Sequence, residues 1–154
     1  MDVEIRVCRR GDLGAVYEIE RTSFSHPYDL DVFQAYMLRV EYSRYDGFLV
    51  AARDREILGY VVFEYGRRGL VVSMAVKADA RRAKVGTKLL AEALRRLSER
   101  CGSVTLQVGV TNTAAQELYR RFGFSIVKLL SRYYPDGEDA YLMEVSGLQH
   151  HSAE

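Results

Sequence analysis

The sequence has few cysteines and no long apolar run. Its two cysteines, Cys8 and Cys101, lack the close spacing of a metal or redox motif. We expect two free thiols in a reducing compartment rather than the single disulfide that the pair is able to form. The longest apolar runs, such as Ile126 to Leu130, are interrupted and too short to span a membrane. No repeat or linker divides the 154 residues, so we predict one domain (1–146) and a flexible C-terminal tail (147–154).

A surplus of charge of one sign is missing as well. The chain has 22 lysines and arginines against 21 acids, for a formal net charge of +1. This balance gives no reason to expect a nucleic acid or an anionic membrane as a partner. The N-terminus carries acids in an alternating pattern instead of a signal peptide, so the expected location is the cytoplasm. His150 and His151 have no third ligand nearby, and we predict no metal site.

The pattern that is present alternates strands and helices. Hydrophobic periodicity predicts a mixed α/β sheet with the element order β-α-α-β-β-β-α-β-α-β-β. The segment from Leu70 to Val76 is almost continuously apolar, which is typical of a strand buried on both faces. A helix is predicted from Lys88 to Glu99, and Gly123 suits the left-handed residue that ends the last helix. The predicted helix N-caps are Asp12, then Asp29 or Asp31, and Asn112.

A basic turn from Lys77 to Thr87 follows the apolar strand and opens a helix. The free N–H groups of a helix N-terminus, together with the helix dipole, favour an anion. Arg81, Arg82 and Lys84 add positive charge, so the turn predicts a phosphate site, although a surface loop with three cations has the same composition. The GxxxxGK[ST] pattern of a P-loop and the GxGxxG of a dinucleotide fold are both absent.

Two motifs together resemble the GNAT superfamily of acyltransferases. The motif Arg81-x-x-Lys84-x-Gly86 resembles the pyrophosphate loop of that family, Gln/Arg-x-x-Gly-x-Gly/Ala. The stretch from Leu106 to Phe124 is similar to its second signature, in which an asparagine and small residues precede Leu-Tyr and a closing Phe-Gly-Phe. The resemblance implies the GNAT acyl-CoA N-acyltransferase fold, a mixed, mostly antiparallel sheet flanked by about four helices. It also implies acetyl transfer from acetyl-CoA to an amine.

The last hairpin narrows the resemblance to protein N-terminal acetyltransferases of the RimI type and their archaeal relatives. Residues Tyr133 to Met143 resemble the C-terminal hairpin of these enzymes, and Phe24 to Tyr28 resemble their first substrate loop. The implied acceptor is the α-amine at the N-terminus of a protein or peptide. A lysine side chain, a polyamine or another small amine stays open, as does a non-catalytic acyl-CoA-binding module. A homodimer or an auxiliary subunit is also left open.

The resemblance assigns residues to acetyl-CoA. It implies that the backbone of the strand after Ser73 pairs with the pantetheine arm, that the amides of the basic turn hold the pyrophosphate, and that Asn112 contacts the cofactor further along. The implied cofactor-binding set is Met74, Ala75, Val76, Arg81, Arg82, Ala83, Lys84, Val85, Gly86, Thr87, Asn112 and Tyr119.

The resemblance also assigns tyrosines to chemistry and to the acceptor. Tyr119 matches the tyrosine that protonates the leaving thiolate, and a phenol with a pKa of about 10 can donate a proton at neutral pH. By itself the residue is equally compatible with a core aromatic. The acceptor-binding matches are Phe24, Pro27, Tyr28, Tyr133 and Tyr134. An aromatic cluster that packs a loop onto a hairpin is the alternative, and a tyrosine can serve both purposes.

Three positions depart from the family pattern. Lys84 replaces the first glycine of the pyrophosphate loop, and because the second glycine is retained we expect a negative φ there. Gln107 stands where relatives commonly carry Glu, and Leu70 stands where archaeal relatives often carry His. Neither side chain accepts a proton. An α-amine has a pKa of about 8 and must lose a proton before it attacks. His26 and Glu64 are therefore the candidate general bases, directly or through water, and bound water alone is a third possibility.

Overall fold

The computed structural model describes residues 2–43 and 46–148, and the order of its elements is the predicted one. His150 and His151 lie outside the described residues, as do the side chains of Arg82 and Ala83. The described part contains four α-helices, α1 (Leu13–Ser23), α2 (Leu30–Tyr42), α3 (Val85–Leu97) and α4 (Thr113–Arg121). Its strands are β1 (Glu4–Val7), β2 (Asp46–Arg53), β3 (Glu56–Glu64), β4 (Gly69–Val76), β5 (Val104–Gly109), β6 (Ser125–Leu130) and β7 (Ala140–Val145).

One sheet of seven strands runs through these residues, in the order β1-β2-β3-β4-β5-β7-β6. All neighbours are antiparallel except β4 and β5, which confirms the predicted mixed, mostly antiparallel sheet. The parallel pair is short, because its only partners are Gly69 with Val104 and Leu70 with Thr105. Beyond Leu70 the two strands separate, and this separation opens a gap in the middle of the sheet.

The core lies on both faces of the sheet. Alternate residues of β2 pack on opposite sides, with Leu49 toward α3 and α4 and Phe48 toward α1 and α2. Strands β2 and β3 are buried on both faces almost throughout. The prediction that Leu70 to Val76 is buried on both faces is wrong, because only Val71 and Ala75 of that segment are fully buried. The reason is the separation from β5, which leaves this end of β4 beside the gap.

The helix ends follow the predicted chemistry in part. Asn112 caps α4 as predicted, with its side-chain oxygen accepting a hydrogen bond from the backbone N–H of Ala115 at 3.2 Å. Gly123 has a φ of 94°, the left-handed geometry expected of it. Asp12 is the N-cap residue of α1, as predicted, but its side chain makes no capping hydrogen bond there. Its carboxylate instead accepts from the guanidinium of Arg6, at 2.7 and 3.1 Å, and from the backbone N–H of Arg9 at 2.8 Å. A bidentate ion pair is stronger than a single cap.

The predicted boundaries need two further corrections. Asp29 precedes α2, but its side chain makes no capping hydrogen bond. Helix α3 begins at Val85, three residues before the predicted Lys88. The described part of the tail ends at Leu148, whose amide donates to the carbonyl of Gly102 at 3.1 Å. The domain boundary and the flexibility of the tail stay predictions.

Three further features of the fold concern the cysteines, membrane-spanning helices and metal-binding clusters. Cys8 and Cys101 are buried and free, as expected, and burial raises the pKa of Cys8 to about 12, so its thiol stays protonated. Within residues 2–43 and 46–148, no helix is long and apolar enough to cross a membrane. The same residues contain no group of three His, Cys, Asp or Glu side chains that is able to hold a metal ion.

Candidate active site

The gap beside β4 exposes an edge of backbone. Strand β3 pairs with one edge of β4 as far as Val76. On the other edge, no described strand pairs with β4 after Leu70. Backbone N–H and C=O groups need hydrogen-bond partners, so an unpaired edge inside a sheet favours an extended ligand that carries amide groups. The predicted pantetheine-binding residues Met74, Ala75 and Val76 all lie on this edge.

A left-handed residue connects the basic turn to α3. The turn contains a 3-10 helix (Ala78–Ala83), and Lys84 follows it with φ 58° and ψ 28°. The expectation of a negative φ at Lys84 is therefore wrong, since the chain needs a left-handed residue to pass from the 3-10 helix into α3. A lysine in this conformation costs about 1–2 kcal/mol relative to the right-handed region. The family's glycine avoids that cost.

The N-terminus of α3 offers free N–H groups. Lys84 is its N-cap residue, and a lysine side chain has no acceptor with which to cap the first turn. A Cβ on Gly86 would lie 3.3 Å from Leu118 and 3.6 Å from Val76, so the glycine allows α3 to approach both β4 and α4 closely. Arg81 is exposed, and its Nε donates to the carbonyl of Val76 at 3.2 Å. Uncapped amides, a missing side chain and nearby cations fit a pyrophosphate group.

The remaining residues of the predicted cofactor-binding set lie near the N-terminus of α3 or at the start of α4. Val85 is buried, Thr87 is half-buried, and the side chains of Arg82 and Ala83 are not among those described. Asn112 lies at the start of α4, where it caps the helix. The structure thus brings the backbone of the predicted cofactor set to one end of β4, α3 and α4.

A buried glutamine fixes the turn before α4, and sequence reasoning missed it. Gln116 is 4% exposed, and its Nε2 donates to the carbonyls of Gly109 and Val110, both at 3.0 Å. These bonds hold α4 against the end of β5. Because Tyr119 is on α4, Gln116 also fixes the position of that tyrosine.

Tyr119 is a buried phenol whose hydroxyl is free. Its ring is 7% exposed and packs on Phe124, with ring centroids 5.8 Å apart. Burial, with a smaller contribution from Tyr134, raises the pKa of Tyr119 to about 12. No group in the described part of the chain hydrogen-bonds its hydroxyl. Every fully buried side-chain nitrogen or oxygen among these residues has a hydrogen-bond partner, so the hydroxyl of Tyr119 must be accessible. The group is therefore a protonated donor at neutral pH.

Two loops bring the predicted acceptor tyrosines together. Tyr28 belongs to the loop between α1 and α2, and Tyr133 and Tyr134 belong to the loop between β6 and β7. The rings of Tyr133 and Tyr134 meet edge to face with centroids 5.0 Å apart. Burial raises the pKa of Tyr134 to about 12, with smaller contributions from Tyr133, Glu138 and Tyr28. Tyr134 in turn contributes to the raised pKa of Tyr119, so the second loop lies near the phenol on α4.

The other predicted acceptor residues have plainer surroundings. Phe24 packs against the core beneath α1 and α2. Pro27 is half-buried in the same loop. The two loops are joined by a contact between Nε2 of His26 and a carboxylate oxygen of Asp136, which lie 3.3 Å apart. Of this group, Tyr28, Tyr133 and Tyr134 are the residues that present hydroxyls.

The two base candidates differ in their surroundings. His26 is exposed, and its Nε2 faces Asp136. Glu64 is at the end of β3, directly opposite Leu70 in the sheet register. Glu64 therefore lies beside the position where the family resemblance led us to expect a histidine. Its carboxylate accepts a hydrogen bond from Tyr36 at 2.6 Å and is 25% exposed.

The carboxylate of Glu64 has a second hydrogen-bond donor, whereas Gln107 carries no group that accepts a proton. Arg39 donates to the carboxylate of Glu64 at 3.3 Å. Burial and the hydrogen bond to Glu64 raise the pKa of Tyr36, so that phenol remains a donor. Gln107 is exposed on β5. Glu64 is thus held by two side chains of α2, whereas His26 has a single contact on an exposed loop.

Comparison with known proteins decides the family. The model of the acetyltransferase (GNAT) family matches residues 13–124. The chain belongs to this family. An N-alpha-acetyltransferase of Sulfolobus acidocaldarius is 35% identical over 93% of this chain and 92% of that protein. An uncharacterized N-acetyltransferase of Methanocaldococcus jannaschii is 38% identical, over 90% of this chain and 88% of that protein.

Solved structures show the same fold. The crystal structure of Ard1 from Thermoplasma volcanium has a TM-score of 0.88 and 28% identity, and covers 97% of this chain and 100% of that one. The ribosomal-protein-S18-alanine N-acetyltransferase of Escherichia coli shares the fold, with a TM-score of 0.85 at 23% identity over 99% of each chain. As a GNAT acetyltransferase, this chain is an enzyme that uses acetyl-CoA as its acetyl donor.

Two carboxylates of this GNAT site were missed by sequence reasoning. Glu138 accepts hydrogen bonds from the amide and the hydroxyl of Thr111, at 3.2 and 2.6 Å, and its own carbonyl accepts from the amide of Tyr134 at 3.1 Å. It thereby ties the second acceptor loop to the turn before α4. The other, Glu20, is on α1 and is 2% exposed. Its signal was an acid within the apolar stripe that includes Val16.

Proposed function

We propose that this GNAT acetyltransferase transfers an acetyl group to the α-amine at the N-terminus of a protein or peptide. The observation that carries the proposal is the pair of tyrosine-bearing loops beside Tyr119. Tyr28 comes from one loop and Tyr134 from the other, and the contact of His26 with Asp136 bridges the two loops. Phenol hydroxyls are suited to hydrogen-bonding a peptide backbone while their rings pack on its side chains.

The relatives support the same acceptor. The protein of Sulfolobus acidocaldarius is named an N-alpha-acetyltransferase, and so is one of Sulfurisphaera tokodaii that is 34% identical over 92% of this chain. A structure of Arabidopsis thaliana Naa50, in complex with a bisubstrate analogue that joins CoA to a peptide, shares the fold with a TM-score of 0.81. We infer an amino-terminal acceptor from the combination of these names and the tyrosine loops.

On the donor side, we propose that the uncapped amides of α3 hold the pyrophosphate. The left-handed turn at Lys84 aims these amides, and Gly86 leaves room for the approach. The free edge of β4, from Met74 to Val76, holds the pantetheine arm by backbone hydrogen bonds. Arg81 adds a cation, and Asn112 caps the start of α4.

In the proposed reaction the amine loses two protons and the leaving thiolate gains one. The amine nitrogen forms a bond to the acetyl carbon, and the carbon–sulfur bond of the thioester breaks. The leaving thiolate takes a proton from the hydroxyl of Tyr119, whose pKa of about 12 keeps it protonated until that step. Glu64 takes the first proton, which the ammonium loses before the attack, directly or through water. The second proton, which the nitrogen loses as the amide forms, passes to water. Solvent then returns a proton to Tyr119 and removes one from Glu64, so the site is restored and one proton is released overall.

A polyamine is the second candidate acceptor. Glu64, Asp136 and Glu138 put carboxylates near the tyrosine loops, and such charges attract cations. The tyrosines favour the peptide, because a polyamine offers no amide groups for their hydroxyls to bind.

The test measures acetyl transfer to matched acceptors, with the release of the CoA thiol as the signal. One set of ten-residue peptides begins with Ser, Ala or Met and has a free amino terminus. A second set has the same sequences with a blocked amino terminus, and spermidine is the third acceptor. The proposal predicts turnover with the free peptides alone. Turnover with spermidine and none with the peptides would replace it by the polyamine candidate.

A further inference from the structure

A buried carboxylate lies in the apolar face of α1. Glu20 follows Val16 by one helical turn, and its side chain is 2% exposed. Within residues 2–43 and 46–148, no lysine, arginine or histidine forms an ion pair with it. Burying a carboxylate without a counter-ion is costly, and it persists only where hydrogen bonds compensate.

Three donors from three parts of the chain meet this carboxylate. One oxygen, Oε1, accepts from the hydroxyl of Ser73 on β4 at 2.8 Å and from the hydroxyl of Tyr60 on β3. The other oxygen, Oε2, accepts from the backbone N–H of Tyr28 at 3.0 Å. The first two donors fix the carboxylate on the sheet, and the third fixes the loop on the carboxylate.

Both ends of the first acceptor loop are attached to the same residue. The amide of Phe24 donates to the backbone carbonyl of Glu20 at 3.2 Å, where α1 ends. The amide of Tyr28 donates to the side chain of Glu20 four residues later. Pro27, between them, has no N–H to offer. On the side that faces the core, the loop is thus held by the bond from the amide of Tyr28 to Oε2. On the side that faces solvent, it is held by the contact of His26 with Asp136.

Stability alone gives a weak reason for such a group. Replacing buried ionic groups by well-packed apolar ones is often neutral or stabilising. A side chain such as leucine would fit the apolar stripe of α1, but it would leave the amide of Tyr28 without its acceptor. What the carboxylate adds is a defined distance between Tyr28 and β4, because Ser73 belongs to the strand whose edge is open.

We propose that Glu20 is a positioning residue, which holds the acceptor loop and its Tyr28 at a fixed place relative to the donor strand. It acts through Tyr28 and does not touch the reacting atoms. This inference rests on the proposed acceptor role of that loop. The residue thereby couples the place of the peptide to the place of the acetyl group.

The substitution Glu20→Gln weakens the hold of this side chain on the loop. In one orientation of the glutamine amide its NH₂ group faces the N–H of Tyr28, and two donors cannot bond. In the other orientation its oxygen keeps that bond without the charge that strengthens it, while the NH₂ group faces the hydroxyls of Tyr60 and Ser73. We expect the KM for a free-amino-terminus peptide to rise about tenfold, with kcat and the Kd for acetyl-CoA changed by less than about twofold. Hydrogen exchange of the Tyr28 amide, measured on the free protein, is expected to accelerate about tenfold or more.

The matched control is Glu18→Gln, the same change two residues earlier on the exposed side of α1, where Glu18 pairs with Arg21. It is expected to leave KM and the exchange of the Tyr28 amide unchanged. A second variant, Ser73→Ala, keeps the bond to Oε2 and loosens the carboxylate, so a smaller rise in KM, about threefold, is expected.

Two results would overturn the inference. One is unchanged exchange at Tyr28, or unchanged KM, in a folded Glu20→Gln protein. The other is faster exchange throughout the chain with weaker acetyl-CoA binding, which would assign Glu20 a general role in folding. Hydrogen exchange needs no acceptor, so a wild-type protein that acetylates no peptide would count against the proposed function and still let the exchange decide whether Glu20 positions the loop.

Discussion

The donor half and the acceptor half of the site are built from different materials. The donor half, which we define as β4, the turn at 77–84 and the first turn of α3, offers mainly backbone groups: an unpaired strand edge and uncapped amides. The acceptor half, the loops at 24–29 and 131–139, offers side chains. Its tyrosines are held by carboxylates, with Glu20 behind one loop and Glu138 behind the other.

The two halves of the site therefore tolerate different substitutions. Backbone groups are supplied by any residue that fits the required φ and space, so the donor half accepts Lys84 in a position that favours glycine, at a cost in strain. The carboxylates of the acceptor half each accept several hydrogen bonds, and no substitution reproduces all of them. We therefore expect changes in the donor half to act on acetyl-CoA affinity and changes in the acceptor half to act on peptide KM.

The largest expected effect is at Tyr119, where the two halves meet. Tyr119→Phe keeps the packing on Phe124 and removes the proton donor, so kcat should fall about a hundredfold, with the Kd for acetyl-CoA and the peptide KM changed by less than about twofold. Steady-state kinetics and calorimetry measure these values. The control is Tyr65→Phe, because Tyr65 also packs edge to face on a phenylalanine, Phe63. An equal kcat in the two variants would exclude Tyr119 as the acid.

The next largest effect is expected at Gly86, where the donor half depends on the close approach of α3 to β4. Gly86→Val places a side chain against Leu118 and Val76 and pushes α3 away from β4. The Kd for acetyl-CoA should rise about tenfold or more, since the overpacking costs about 1–3 kcal/mol. Calorimetric titration measures it. Gly102→Val is the control, because a Cβ at Gly102 meets no atom within 4 Å. Equal affinities in the two variants would show that close approach at Gly86 is not needed.

A smaller effect tests the acceptor half. Glu138→Gln weakens the two bonds to Thr111 and loosens the loop that carries Tyr134. The peptide KM should rise about fivefold while the Kd for acetyl-CoA stays constant, because the loss is about 1 kcal/mol. Glu41→Gln, which breaks an exposed pair with Arg10, should change neither value. A change confined to acetyl-CoA affinity would contradict the division into two halves.

The smallest effect concerns strain at Lys84. Lys84→Gly should raise the free energy of unfolding by about 0.5–1 kcal/mol, since relief of the left-handed lysine exceeds the entropy that glycine loses. Lys88→Gly removes the same charge one turn later in α3 and should lower it by about 1 kcal/mol. Urea unfolding measures both. A loss of stability in both variants would mean that the position at 84 is not strained.

The same division explains what the sequence could predict. Local patterns predict the element order, the cap at Asn112 and the left-handed Gly123, because each depends on neighbours along the chain. The donor motif was recognisable because a strand, a basic turn and a helix are consecutive. The φ of Lys84 was predicted wrongly, since a lysine gives no local sign of left-handed geometry where the glycine is missing.

The acceptor half depends on contacts between distant residues. Glu138 meets Thr111 across 27 residues, and Ser73 meets Glu20 across 53, so no local pattern announces these bonds. The burial of β4 was misjudged for a related reason: the separation from β5 after Leu70 is a property of the sheet and not of the strand's own residues.

The most direct test of the central claim, an amino-terminal acceptor, is site mapping on one peptide that carries both a free α-amine and an internal lysine. Wild-type enzyme and acetyl-CoA are incubated with it, and the acetylated product is fragmented in a mass spectrometer. We expect the acetyl group on the α-amine alone. An acetyl group on the lysine, with the α-amine untouched, would contradict it.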